Sequence, residues 1–70
     1  MARDTIRAVR LVYIRDLLQQ SPQSIRDLAS LCEVSPETIA RDLVVLQLPP
    51  MSMRLRVVDG RWTVVEGRAP

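Results

Sequence analysis

The sequence has no histidine and a single cysteine, Cys32, so neither an internal disulfide nor a zinc site of Cys and His ligands can staple the fold. Nucleophilic catalysis loses its usual base for the same reason, and Cys32, on the inner side of a short helical segment, reads as a small buried hydrophobe. Only two glycines occur, Gly60 and Gly67, which excludes the Gly-rich loops that cradle phosphates and dinucleotides. Lysine, asparagine and phenylalanine are absent too. Their codons are AT-rich, so the all-arginine basic set points to a GC-rich genome rather than to selection for guanidinium groups. No apolar stretch approaches the ~18 residues of a membrane span, and no apolar segment follows the first residues. The expectation is a soluble cytoplasmic protein with no membrane partner, no cofactor and no metal.

What remains is a chain of 70 residues, 47% hydrophobic and 26% charged, enough for one core in a single domain spanning 1–70. The formal charge of +2 is too small to select a partner by itself. Its distribution says more. Residues 1–20 carry four arginines against two acids, residues 21–48 two against four, and residues 49–70 four against two.

Ile6, Tyr13, Ile14, Leu17 and Leu18 recur at helical spacing, which predicts a first helix over about 5–20. Arg7 and Arg10 share that side, so the first two turns are expected to project beyond the core with their guanidinium heads reaching for solvent or a partner. Ser21-Pro22 ends the helix. Ser24 and Asp27 have capping-box spacing and open a short helix whose inner face is Ile25, Leu28, Ala29 and Cys32. Ser35-Pro36 then supplies an N-cap and a first helical residue, Ile39, Leu43 and Leu46 form the next buried stripe, and Pro49-Pro50 stops it. Two short helices joined by a tight turn, over about 24–47, make a helix-turn-helix.

Beyond the prolines the period falls from about 3.6 to 2. Leu55 and Val57 alternate with Arg54 and Arg56, Asp59-Gly60 fits a two-residue type I′ turn, and Trp62 and Val64 alternate with Arg61, Thr63 and Val65. That register sets Val57 opposite Trp62 and Leu55 opposite Val64 on one face, with Arg54, Arg56, Val58, Arg61, Thr63 and Val65 on the other. The hairpin occupies about 53–66, Trp62 is expected to be largely buried, a short strand near Gln23-Ser24 can pair onto the hairpin, and Glu66–Pro70 reads as a frayed tail. The fold class is therefore mainly α with a small β-hairpin (α+β), in the order α-α-α-β-β. The acids Asp27, Glu33, Glu37 and Asp42 read as capping or solvated groups, not as a catalytic pair, and an enzyme is not expected.

The runs Ser24-Ile25-Arg26-Asp27-Leu28-Ala29 and Val34-Ser35-Pro36-Glu37-Thr38-Ile39-Ala40-Arg41-Asp42-Leu43, followed by Leu46, resemble the DNA-binding domain of DeoR-type regulators. Arg10, Ile14, Leu17 and Leu18 match the first helix of that family, and the resemblance covers about residues 10–65. It implies a winged helix-turn-helix that places its third helix in the major groove of double-stranded DNA. By position, Thr38 and Arg41 would face the DNA, Ser35 would offer its hydroxyl to a phosphate, and Arg61, Arg54 and Arg56 of the wing would meet the backbone or minor groove, with Arg10 a further DNA-contact candidate. Structural readings stand beside these: Ser35 caps a helix in either case, Thr38 can simply fill the first turn, Arg41 can pair with Glu37, and the wing arginines can solvate a strand face.

The sequence departs from the family at Ala40, where a second arginine is usual, and at Val44 and Val45, where polar residues are usual. Glu33 stands where Gly or Asn is common, which predicts a positive φ. Family members continue into a ligand-sensing domain, so both a minimal regulator and a fragment are consistent with this chain. A second class of function follows from the valines: a winged-helix module that binds a heterologous protein through Val44 and Val45. Ile6, Val9, Val44, Val45 and Leu48 are the candidate protein-interface residues, and a homodimer is the default way to cover them.

Overall fold

The order of elements follows from the positions of the breakers. In a computed structural model, which describes the backbone of residues 3–65 and the side chains of 6–65, three helices precede an antiparallel hairpin. Helix α1 is Arg3–Gln20, α2 Ile25–Cys32 and α3 Pro36–Gln47; strands β1 and β2 are Leu55–Val58 and Arg61–Val64. Helix α1 therefore begins two residues before the sequence-based start, and the tail beyond Val65 lies outside the described residues.

Each helix start has a local cause. Ser24 Oγ accepts the Asp27 N–H at 3.0 Å, and Ser35 Oγ accepts the Thr38 N–H at 3.2 Å, so each cap satisfies an amide that the helix cannot. Helix α2 ends with Glu33 at φ 58, in the left-handed region, and the Val34 N–H reaches back to Ala29 O at 3.0 Å. That six-to-one bond is how a helix closes on a left-handed residue, so the positive φ expected at Glu33 is present. Asp59 and Gly60 have φ 53 and 75, as a type I′ turn requires.

The hairpin pairs Leu55 with Val64 and Val57 with Trp62, the register read from alternation. Gln23 joins as an isolated bridge: its N–H donates to Trp62 O at 2.9 Å, and its carbonyl accepts the Trp62 N–H at 2.7 Å. This bridge ties the α1–α2 connection to the second strand. The core beneath consists of Ile14, Leu18, Leu28, Ala29, Ile39, Leu43 and Leu46, with Leu11, Leu55, Trp62 and Val64 packed around its rim. Removing a buried leucine such as Leu28 from a core this small costs about 2–5 kcal/mol.

Packing departs from the alternation in one respect. Trp62 packs against the core with the minor part of its surface exposed, as expected, whereas Val57 on the same inner face is 51% exposed. Leu55, Trp62 and Val64 reach the core, and Val57 of the same face stands outside that cluster.

Candidate nucleic-acid interface

Helix α3 buries Ile39, Asp42, Leu43 and Leu46 and turns the opposite side outward. The outward strip follows helical spacing: Glu37, Arg41 and Val44, with Leu48 at the C-cap, and all four are exposed. Val45, expected to face outward with Val44, is instead half-buried. It stands about 100° round the helix from Val44, toward the packed side.

At the start of α3, Ser35 and Thr38 are hydrogen-bonded to each other. Their oxygens lie 3.0 Å apart in a hydrogen bond, while Ser35 Oγ also caps the helix. The structural reading of Ser35 as N-cap holds. Thr38 is half-buried in the first turn. Arg41 is exposed and forms no ion pair with Glu37 or with any other described residue.

Asp42 carries the main correction. It is 1% exposed, where a capping or solvated acid was expected, and its carboxylate is clasped by Arg10 of α1, Nε to Oδ2 at 2.5 Å and Nη2 to Oδ1 at 3.2 Å. The Arg10 head is therefore turned in to α3 and does not reach for solvent or a partner. The hydrogen bond that Arg10 donates to Asp42 raises the Arg10 pKa above its ordinary value, against the opposing effect of burial. Two consequences follow. The pair fixes the rotation of α3 against α1, and it removes one of the four acids of residues 21–48 from the surface balance. Sequence spacing carries no signal for this contact, because 32 residues separate the partners.

Arg54, Arg56 and Arg61 are all exposed on the outer side of the hairpin, and Arg61 adjoins the turn. The wing arginines thus share one face with Val58 and Thr63, while Leu55, Val57, Trp62 and Val64 take the other. Cys32 is half-buried against the core, and burial pushes its thiol pKa up, with Arg10 acting in the opposite sense. This is the environment of an unreactive thiol. Among the described residues, no three of His, Cys, Asp and Glu come together as metal ligands, and no helix is long and apolar enough to cross a membrane.

A second exposed region is separate from the α3 strip. Ile6, Val9 and Tyr13 of α1 face Leu31 and Val34 across an open groove of about 470 Å³, and Ile6 and Val9 are 57% and 65% exposed. Ile6 and Tyr13, read from spacing as part of the core stripe, belong to this groove instead; the core side of α1 is Ile14 and Leu18, flanked by Leu11 and Leu17.

Neither a curated protein nor a solved structure matches the chain significantly. A family model does: the DeoR-like helix-turn-helix domain matches residues 10–56, from the arginine that clasps Asp42 to the first strand of the hairpin. With three helices, the capped turn between α2 and α3, and a two-stranded wing in that order, the chain belongs to the DeoR-like helix-turn-helix family of DNA-binding regulators.

Proposed function

We propose that the chain is a DNA-binding transcriptional regulator in which α3 enters the major groove of duplex DNA and the hairpin arginines contact the phosphate backbone. The observation that carries this reading is Arg41: a charged side chain on the outward strip of the helix-turn-helix, with no ion-pair partner among the described residues, one residue from a buried acid that another arginine already neutralises. Arg56 and Arg61 extend the positive surface to the outer face of the wing. Ser35 contributes by capping and so fixing the start of α3, with Thr38 as its hydrogen-bonded neighbour.

The test is a mobility-shift titration of the whole chain with random duplex at low and moderate salt. Binding that weakens as salt rises is the expected result. A chain that ignores duplex at low salt overturns the reading and leaves the exposed Val44 as a protein-contact surface.

Two copies associate, in this reading, through the α1 groove. Ile6, Val9 and Tyr13 repeat at the three- and four-residue steps of a helix–helix seam that this domain itself does not cover. A pairing there is symmetric and shares no residue with the α3 strip, so both reading helices stay available to a palindromic site.

A further inference from the structure

Val44 lies outside the hydrophobic core. The residues that α3 buries are Ile39, Asp42, Leu43 and Leu46, whereas Val44 is 57% exposed and lies one turn beyond Arg41 on the outward strip. An exposed β-branched residue in a helix interior is a poorer helix former than the alanine or leucine that could replace it, so local stability does not explain it either. We propose that Arg41 and Val44 read adjacent base pairs, and that the chain selects duplexes in which a guanine lies beside a thymine whose 5-methyl group is covered by Val44. This rests on the DNA-reading function proposed above and assigns its sequence preference.

Three observations lead to that pair of bases. The step from Arg41 to Val44 is about 4.5 Å along the helix at ~1.5 Å per residue, against a base step of ~3.4 Å, so the two side chains fall over neighbouring base pairs. The thymine methyl is the apolar group that the major-groove edge presents, and guanine offers the O6 and N7 acceptors that fit a guanidinium fork. Glu37, one turn before Arg41 on the same strip, is a carboxylate without a described ion-pair partner. On this strip a carboxylate suits a cytosine N4 amino donor and not a phosphate, which leaves backbone contact to the wing.

The experiment selects bound duplexes from a random pool with the whole chain, then replaces thymine by uracil in the enriched site, a change that removes only the methyl group. The expected motif contains a G·C pair beside an A·T pair, and uracil weakens binding by about fourfold, the effect of one buried methyl. Val44→Ala, checked for native helicity by circular dichroism, should bind the thymine and uracil duplexes equally. Arg41→Ala should lose about tenfold or more of the preference for guanine while keeping the response to the methyl group. Equal affinity of the wild-type chain for thymine and uracil overturns the inference, as does retention of duplex with no enriched motif; in both cases the DNA-binding function stands. If no duplex is retained at all, the function and the inference fall together.

Discussion

Arg10 and Asp42 stand 32 residues apart, and the guanidinium of the first clasps the carboxylate of the second across the junction of α1 and α3. Asp42 precedes Leu43 of the core and follows Arg41 of the outward strip, so the clasp settles which side of α3 faces away from the domain.

The two partners are not equivalent. The Asp42 side chain is 2% exposed and the Arg10 side chain 18%, so an orphaned carboxylate has no route to water whereas an orphaned guanidinium can swing outward. Arg10→Met is expected to cost about 3 kcal/mol, Asp42→Asn less, and the double variant Arg10→Met with Asp42→Leu to recover most of the loss. Urea unfolding of the three variants measures this. The Arg10 contribution should be flat around neutral pH: its folded pKa is raised above the ordinary arginine value, so the stabilisation is fully present below that value and is lost only as pH rises through the folded one.

Glu33 holds a left-handed backbone at φ 58 with a side chain that disfavours it. Replacing it with glycine removes that penalty, about 1 kcal/mol, which for a domain of this size raises the melting temperature by about 4–8 °C. A lowered melting temperature would mean that the Glu33 side chain makes a stabilising contact that outweighs its backbone cost.

Arg56→Gln and Arg61→Gln alter exposed strand positions and should leave thermal stability within about 0.5 kcal/mol. Each is expected to reduce the magnitude of the slope of log affinity against log salt by about 0.9 if the residue meets a phosphate. An unchanged slope in both variants would return these arginines to the role of a solvated strand face.

Ile6→Asp with Val9→Asp places charge in the α1 groove without touching the buried core. Light scattering should show a dimer for the wild-type chain and a monomer for this variant, with weaker binding to a palindromic duplex. Val44→Asp with Val45→Ser should instead leave the mass unchanged and lower DNA affinity. A monomeric variant of the second kind would move the dimer contact to α3.

What the sequence determined by itself was local. Ser24, Ser35 and Pro36 mark helix starts because caps act over three or four residues, Glu33 falls in the left-handed region because a two-helix turn this short needs one residue there, and the Asp59-Gly60 turn sets the register that pairs Val57 with Trp62. Alternation and helical period also separate the arginine face of the wing from its apolar face, and place Arg41 and Val44 on the outward side of α3. The tertiary structure decided how deeply each side chain is covered and which charges meet. Periodicity gives the direction of a side chain but not the length of the neighbour opposite it, so Val57 is exposed and Val45 half-buried against the simple pattern. The Arg10–Asp42 clasp, and with it the difference between a buried acid at 42 and an unpaired base at 41, exists only because α1 crosses α3 where both residues face inward. An ion pair between distant residues is a property of that crossing, and no spacing within either helix encodes it.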